Sequence, residues 1–546
     1  MALYKLNTIH RHFCKQAHHA ISVHSSIKFS QDQLALSLVH SRKMTTEGSP
    51  DDWLVGRNYL KLIERNPMRL RRIRFLGELF KSKGFELRIA GGAVRDLVNG
   101  VEPKDIDFAT DAHPDQTLDI VKQHEDLLRI IVTVAGQKHG TVAVKFKEVD
   151  DLDFRKRLKT GHPNPDTNKE SQQKEPVYDE ESPFEITTLR CDLITDGRHA
   201  EVAFISDWKQ DAERRDLTIN SMFLNLDDGK LLDYFGGEAD CRNHEIRFVG
   251  DPDRRIKEDY LRIARYFRFW LRFSNSDPDS KQLDAIKSNI QGLNQISGER
   301  IWQELKKIFN HIPCSKAVRF MFDAGLFKHI GLEFSNDDDY KEHSKQVLQD
   351  LEVVELNVKQ FCDQYLKSRL RENPKDENLK RLDNLLPILT FSSCIRTEDQ
   401  CMSANKRLKF SNIERDTILY LINNKSLIGQ ESDASCLKLF QRQLALSNEQ
   451  ALLGTLLLQK ALLICHGKSE LIPELESWTV PRFSFNGKVI LEALKAKGIP
   501  RNHTKTVLDK LKLEWADSGY KIEQETMTER MHKILDEMKE LSFKKS

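Results

Sequence analysis

The chain has 546 residues, with 85 Lys or Arg against 83 Asp or Glu, so its formal net charge is only +2. This balance excludes a uniformly basic protein, and any surface for a polyanion must come from local clustering of charge. The nine cysteines include no CxxC pair, which argues against a zinc knuckle or a disulfide framework. Gln459 and Lys460 interrupt the longest apolar run, which is too short to span a bilayer, so no membrane contact is predicted.

The first predicted segment, residues 1–43, differs from the rest of the chain in composition. Asp32 is its first acidic residue, and basic residues, histidines and serines precede it without a continuous apolar stretch. This composition is typical of a mitochondrial presequence, with a disordered tail as the alternative. Initiation at Met44 would remove the segment, so we expect a mitochondrial form and a cytoplasmic or nuclear form.

Residues 52–245 are predicted to form an α+β domain. A helical period over 52–84 precedes short strand patterns that alternate with helices. The predicted strands are ELRIA, DIDFAT, TVAVKF, FEITTL and HAEVAF. Residues 148–183 are polar and contain prolines, so we expect them to form a mobile insertion between two strands.

Helical patterns dominate from residue 246 to the end. The clearest are DYLRIARYFRFWLRF and GERIWQELKKIF, and Ser297 stands where it can cap the second. The chain therefore changes class, from a strand-containing first part to an all-helical remainder over 246–330 and 331–546.

A strand that runs into paired glycines and then into a helix is predicted in LRIAGGAVRDLVNG. Glycine lets backbone N–H groups approach a polyanion, and a helix N-terminus adds partial positive charge. Gly92 and Arg95 are therefore candidate phosphate ligands, although a tight structural turn is the simpler explanation of the glycines taken alone. Without a GK[ST] sequence, the motif is not a Walker A loop.

Two acids one residue apart follow in DIDF. If this stretch is a strand, Asp105 and Asp107 project to the same side, and their mutual repulsion favours a cation between them. An all-oxygen site of this kind suits Mg²⁺, and two such ions can activate a hydroxyl and stabilise a leaving pyrophosphate. Glu185 of EITTLR is a candidate third ligand; an exposed strand charge or an ion pair with Arg190 explains it equally well.

Two further motifs suggest nucleotide recognition. In AERRDLTINSMF, Arg215 can bind phosphate and Asp216 can accept from a ribose hydroxyl, with ordinary helix-start charges as the alternative. In KEDYLRIARYFRFW, Asp259 and Arg262 are helical neighbours that form either a surface ion pair or an acceptor–donor edge matching cytosine and adenine. On the same helix, a three-residue step spreads the positive charge as a spiral along Arg262, Arg265 and Arg268.

Taken together, these motifs resemble class II tRNA nucleotidyltransferases, the CCA-adding enzymes. GGAVRD with DID, RRDLT, EDYLR and SGERIWQELKKIF occur in the order of that family's motifs, over about residues 80–310. The resemblance implies a nucleotidyltransferase head at 52–245, a helical neck at 246–330 that binds the base and RNA, and a helical body and tail at 331–546 that bind tRNA.

The resemblance also implies an activity: addition of C, C and A to the 3′ end of tRNA from CTP and ATP, without a nucleic-acid template. Asp105 and Asp107 would be catalytic and hold Mg²⁺. The nucleotide would be bound by Gly92, Arg95, Arg215, Asp216, Asp259, Arg262, Arg265 and Arg268. A poly(A) polymerase of the same superfamily, a transferase adding only C or only A, and a non-catalytic tRNA-binding protein remain alternatives. No obligate protein partner is predicted.

Overall fold

The computed structural model describes Ile63 and residues 66–131, 140–147, 183–195, 200–429, 432–447, 449–483, 485 and 487–543. The predicted presequence and all but the last residue of the predicted insertion lie outside these residues. The described residues divide into two units. The first comprises the described parts of 34–311 and 316–330, and the second comprises 312–315 and the described parts of 331–546.

A seven-stranded sheet in the order β3-β4-β5-β2-β1-β8-β9 lies in the first unit, and β6 pairs with β7 as a separate ribbon. The strands are β1 (Leu87–Ala90), β2 (Asp107–Thr110), β3 (Leu128–Ile131), β4 (Thr141–Phe146), β5 (Phe184–Thr188), β6 (Arg190–Thr195), β7 (Ala200–Phe204), β8 (Phe223–Asn225) and β9 (Leu231–Leu232).

The sheet is mixed, because β2 runs parallel to β5 whereas the other neighbouring strands are antiparallel. The predicted strands correspond to β1, β2, β4, β5 and β7, and alternating burial along β4 and β5 explains why their patterns were readable. One detail differs: β2 begins at Asp107, and Asp105 lies in a bend before it.

Ten helices are described wholly or mainly in the first unit. They are α1 (Pro67–Ser82), α2 (Gly92–Val98), α3 (Pro114–Lys122), α4 (Trp208–Glu213), α5 (Gly237–Asn243), α6 (Pro252–Glu258), α7 (Leu261–Phe273), α8 (Ser280–Asn289), α9 (Gly298–Phe309) and α10 (Ser315–Asp323).

The helix predicted over 52–84 is shorter among the described residues, where α1 begins at Pro67. Proline has no N–H to lose at a helix start, and the Asn66 side chain accepts from the Arg69 backbone N at 3.0 Å. These two residues therefore mark a cap rather than the middle of a longer helix.

In the second unit, the secondary structure of the described residues is helical. Its helices are α11 (Asp337–Phe361), α12 (Lys367–Glu372), α13 (Glu377–Ser392), α14 (Glu398–Leu408), α15 (Asn412–Gly429), α16 (Asp433–Leu446), α17 (Glu449–Cys465), α18 (Ile472–Ser477), α19 (Gly487–Ala496), α20 (Thr504–Asp517) and α21 (Gln524–Phe543). None of the described helices is both long enough and apolar enough to cross a bilayer. The predicted α+β fold class, with a mixed sheet followed by helices, is confirmed.

Candidate active site

The paired glycines form the turn between β1 and α2. Gly91 has a φ of +66°, which glycine adopts at little cost, and its backbone N donates to Met222 O at 3.1 Å. A Cβ at this position would lie 2.9 Å from Nη1 of Arg215. The turn therefore needs glycine for two reasons: its backbone conformation and the space that Arg215 occupies. Gly92 is the first residue of α2.

Asp105 and Asp107 are both exposed, whereas Ile106 and Phe108 between and after them are buried. In the parallel pairing of β2 with β5, Asp107 is opposite Glu185, which is also exposed. Desolvation, followed by the charges of Glu185 and Asp105, raises the pKa of Asp107 to about 6, against the opposing effect of Arg215. The structure thus brings the three predicted acids together.

The three acids are of the type that holds a divalent metal ion. No group of three or more His, Cys, Asp or Glu side chains among the described residues is arranged to hold a metal ion by itself. However, Mg²⁺ is commonly bound by one or two carboxylates together with substrate phosphates. After desolvation, the charges of Glu185 and Asp105 add to the raised pKa of Asp107, and a divalent cation would relieve this repulsion.

Arg215 is held from two sides. Its Nε and Nη2 donate to Asp211 Oδ2 at 3.2 and 2.9 Å, and its Nη1 donates to Asn220 O at 3.2 Å. The guanidinium also lies 4.8 Å from the ring centroid of Phe223. These three bonds use three of the five N–H donors of arginine, so the group is oriented and still has donors for an anion.

Arg95 is buried beneath the start of α2. Its Nε and Nη2 donate to Asp96 Oδ1 at 3.0 and 2.7 Å, and its Nη1 donates to Asn220 Oδ1 at 2.7 Å. Since only 5% of the residue is exposed, its charge is fixed inside the protein rather than directed into solvent. Asn220 thereby connects Arg95 with Arg215.

Asp216 is buried and bound to Arg265, which donates from Nε and Nη2 at 2.7 and 2.6 Å to the same carboxylate oxygen. Its other oxygen accepts from Leu217 N at 2.9 Å and Asn220 Nδ2 at 3.2 Å. Burial alone would raise the pKa of Asp216, but the Arg265 charge and these hydrogen bonds lower it. Asp216 is therefore ionised and holds Arg265 in place.

Arg262 does not pair with Asp259, although a helical neighbour relation was predicted. Its Nη1 donates to Glu258 Oε2 at 2.8 Å and to Arg255 O at 2.9 Å, and its Nη2 donates to Arg214 O at 2.8 Å. The reason is that α7 begins at Leu261 and Asp259 is the cap residue of α6, in extended conformation. Their backbones still form a turn, in which Arg262 N donates to Asp259 O at 2.9 Å, so only the side chains have different partners.

Asp259 instead contacts a residue of α9. Its Oδ2 accepts from Arg300 Nη2 at 2.9 Å, and its Oδ1 accepts from Leu261 N at 3.1 Å. About a quarter of the Asp259 side chain and two fifths of the Arg300 side chain are exposed, at 28% and 42%. This carboxylate is thus accessible to solvent and fixed at both oxygens.

Arg268 lies further along α7 and pairs with the buried Glu304, at 3.0 Å from Nη1 to Oε2. Its guanidinium is 4.3 Å from the ring centroid of Phe269, and that of Arg265 is 5.4 Å from the same ring. Desolvation lowers the pKa of Arg268 to about 10, still far above neutrality. Each arginine of the predicted spiral therefore binds a different carboxylate: Glu258, Asp216 and Glu304 for Arg262, Arg265 and Arg268.

Six residues whose side chains bind the predicted ones were not predicted from the sequence: Asp96, Asp211, Asn220, Glu258, Arg300 and Glu304. Asp211, Asn220 and Glu258 stand four residues from Arg215, Asp216 and Arg262, and this short spacing could have indicated them. Arg300 is distant in sequence from Asp259, and no local pattern indicates their contact.

Comparison with known proteins agrees with this geometry. The model described as "Poly A polymerase head domain" matches residues 87–177 and 153–247. The model described as "Probable RNA and SrmB- binding site of polymerase A" matches residues 277–337. The fold and the paired acids beside the glycine turn therefore define a nucleotidyltransferase.

Two relatives show to which family of nucleotidyltransferases the chain belongs. The chain is 36% identical to CCA tRNA nucleotidyltransferase 1, mitochondrial, of Mus musculus over 458 residues, which covers 83% of this chain and 88% of that protein. Identity to the protein of the same name from Homo sapiens is also 36%, with the same two coverages. The chain belongs to the CCA tRNA nucleotidyltransferase family, and within it to the animal type.

A solved structure is similar in fold. The Bacillus stearothermophilus CCA-adding enzyme in complex with CTP matches with a TM-score of 0.56 and 21% identity. The match covers 86% of this chain and 97% of that chain. It supports the arrangement of a mixed sheet followed by helices.

Proposed function

We propose that the chain adds C, C and A to the 3′ end of tRNA, taking the nucleotides from CTP and ATP. The observation that carries the proposal is the 36% identity to two CCA tRNA nucleotidyltransferases over 83% of the chain. In addition, Arg215 lies close enough to the acids at the glycine turn to oppose the raised pKa of Asp107, and Arg265 of α7 binds Asp216, the residue after Arg215. In each cycle, the tRNA 3′-oxygen forms a bond to the α-phosphorus of the nucleotide, and the α–β phosphoanhydride bond breaks to release pyrophosphate.

Asp105 and Asp107 are the proposed catalytic residues and would hold Mg²⁺, with Glu185 as a neighbouring acid that can contribute. When bound, the metal supplies activation of the attacking hydroxyl and compensation of charge on the pyrophosphate. The carboxylates contribute position: both are exposed, Asp107 at the first residue of β2 and Asp105 in the bend before it.

The triphosphate is proposed to bind at the start of α2. The backbone of Gly92 offers an N–H at a helix N-terminus, and the remaining donors of Arg215 lie beside Gly91. Arg95 adds buried positive charge behind this turn. Asp216 is proposed to lie near the ribose, with its carboxylate bound to Arg265.

The base is proposed to be read by Asp259 and Arg262. Cytosine and adenine each present an amino donor beside a ring-nitrogen acceptor, so an acceptor and a donor from the protein complement both. Arg262 makes three of its five possible hydrogen bonds with Glu258 and two backbone carbonyls, which leaves Nε available. Guanine and uracil place a carbonyl oxygen against Asp259, and such a mismatch costs about 1–3 kcal/mol. Arg268 would support the nucleotide from further along α7.

For the domains, we propose a head at 52–245, a neck at 246–330 that binds the base and RNA, and a body and tail at 331–546 that grip tRNA. For localisation, we propose a mitochondrial form, supported by the names of the mouse and human relatives. A second form initiated at Met44 would remain in the cytoplasm or nucleus. Expressing residues 1–43 fused to a fluorescent protein tests the first proposal: diffuse fluorescence would contradict it.

A poly(A) polymerase is the second candidate, because the matching head model carries that description. The purified protein, incubated with tRNA lacking CCA and with CTP, ATP or both, distinguishes the two. We expect two additions with CTP alone and three with both nucleotides. A long A-tail from ATP alone would show that the polymerase alternative is correct, and tRNA binding without any incorporation would favour a non-catalytic protein.

A further inference from the structure

We propose that Arg300 is a specificity-determining residue of the nucleotide site, acting through Asp259. This inference rests on the proposed function, because it assigns a role in base selection to a residue outside the segment that carries Asp259 and Arg262. Arg300 belongs to α9, and its Nη2 donates to Asp259 Oδ2 at 2.9 Å.

The first argument is the orientation of the carboxylate. Asp259 Oδ1 accepts from Leu261 N, and Oδ2 accepts from Arg300. A carboxylate held at only one oxygen can rotate about its terminal torsion, whereas one held at both has a defined plane. Each oxygen keeps a further lone pair, so the amino group of cytosine or adenine can still donate to it. Arg300 thus orients the Asp259 carboxylate and leaves lone pairs on its oxygens free to accept from the base.

The second argument is charge. A base stacked into the site would remove water from Asp259, and burying a carboxylate without a partner is costly. Arg262 does not provide the compensating charge, because its nearest acid is Glu258, at 2.8 Å. Arg300 does, since its guanidinium contacts Asp259 directly. A carboxylate only accepts hydrogen bonds, so Asp259 opposes the carbonyl oxygen of uracil or guanine.

The third argument is that the segment leading into α9 packs against the residue next to Asp259. Residues 290–295 form a 3₁₀ turn that leads to Ser297 and α9. A Cβ added to Gly292 in this turn would overlap the ring of Tyr260. Tyr260 follows Asp259 directly, so the segment that delivers Arg300 packs on the residue next to the carboxylate it contacts.

The contact is too exposed to serve mainly for stability. Pairs in which both side chains are accessible contribute little to folding. Removing the Arg300 charge should therefore change selectivity more than it changes the melting temperature, and these two measurements separate a specificity role from a structural one.

The test uses the full chain with Arg300→Gln, the conservative variant Arg300→Lys, and Lys81→Met as a matched control. Lys81 makes an exposed pair with Asp227 at 2.8 Å, and neither residue belongs to the proposed nucleotide site. For each protein, kcat and KM are measured for single additions of CTP and UTP to tRNA lacking CCA. Equilibrium dialysis with CTP or UTP and Mg²⁺ gives nucleotide affinities independently of tRNA.

We expect Arg300→Gln to reduce the preference for CTP over UTP by about tenfold, mainly through a higher KM for CTP, with a melting temperature within about 2 °C of the parent. Arg300→Lys should restore part of the preference, and Lys81→Met should leave it unchanged. In an Asp259→Ala background, Arg300→Gln should have no further effect on selectivity.

Equal loss of activity toward CTP and UTP, or the same selectivity change with and without Asp259, would overturn the inference. A parent protein that fails to extend tRNA would overturn the proposed function. In that case the dialysis still decides on Arg300: loss of CTP preference in Arg300→Gln supports it, and unchanged preference contradicts it.

Discussion

Arg215 lies directly over Gly91, with its Nη1 2.9 Å from the point where a Cβ would stand. The guanidinium that is proposed to bind phosphate and the turn that presents backbone N–H groups are therefore fitted to each other, and the turn is restricted to glycine by a side chain distant in sequence.

Gly91→Ala should raise the KM for CTP about tenfold, because the new methyl group displaces Arg215 and weakens a charged contact to phosphate. Gly100→Ala is the matched control: Gly100 also has a positive φ, +71°, but nothing lies within 4 Å of its added Cβ. Both variants should lose about 1–2 kcal/mol of stability from backbone strain. Steady-state kinetics checks the difference, and equal KM values for the two variants would contradict the role of Arg215.

Replacing Asp105 and Asp107 with alanine should reduce nucleotide incorporation about a thousandfold or more, because the proposed metal contributes several kcal/mol of transition-state stabilisation. Binding of tRNA, measured by filter retention, should change little. Asp115→Ala is the control, since Asp115 is an exposed acid on α3 with 86% of its side chain accessible. Incorporation that survives the double substitution would show that the metal assignment is wrong.

Asp259→Ala should lower discrimination against UTP and GTP about 10–100-fold, since the acceptor that rejects their carbonyl groups is removed. The comparison variant is Asp277→Ala, which removes another exposed acid of the same unit, one paired with Lys316. Competition between CTP and UTP in one reaction measures the ratio directly. A uniformly slower enzyme with unchanged nucleotide ratios would refute the base-reading role.

Asp216→Asn should destabilise the first unit by about 1.5–3 kcal/mol at neutral pH, because Arg265 loses the charge that its two hydrogen bonds engage. Asp216 has a lowered pKa, so its contribution is complete above the unfolded value of about 3.9 and disappears as the pH falls through the folded value. The difference in melting temperature between parent and variant should therefore narrow below about pH 4. A difference that stays constant down to pH 3 would argue against the ion pair.

Patterns within short stretches were sufficient for much of the fold. The alternation in TVAVKF predicted β4 with its observed bounds, and the exposed Asp107 between buried neighbours followed from the period of two. Strands β3, β6, β8 and β9 were not predicted; β8 and β9, with three and two residues, are too short for a periodic pattern.

The sequence did not predict the side-chain contacts among the candidate site residues. Spacing along one helix suggested that the side chains of Asp259 and Arg262 face each other, yet at the break between α6 and α7 they bind Arg300 and Glu258 instead. Arg300 reaches Asp259 only because α9 packs against α7. Such a contact depends on tertiary packing, which no local sequence pattern records.

The hydrogen bond from Arg262 to the carbonyl of Arg214 would limit how the proposed nucleotide site adapts to cytosine and adenine, which differ in width. Arg214 precedes the proposed phosphate ligand Arg215. This bond therefore fixes the distance between the base-binding and phosphate-binding ends of the proposed nucleotide site. Arg262 is only 8% exposed and makes three hydrogen bonds, which hold its guanidinium in place. The pair of Asp259 and Arg300 is more exposed, so we expect any adjustment between a pyrimidine and a purine to move this pair as a unit, with the hydrogen bond between them kept.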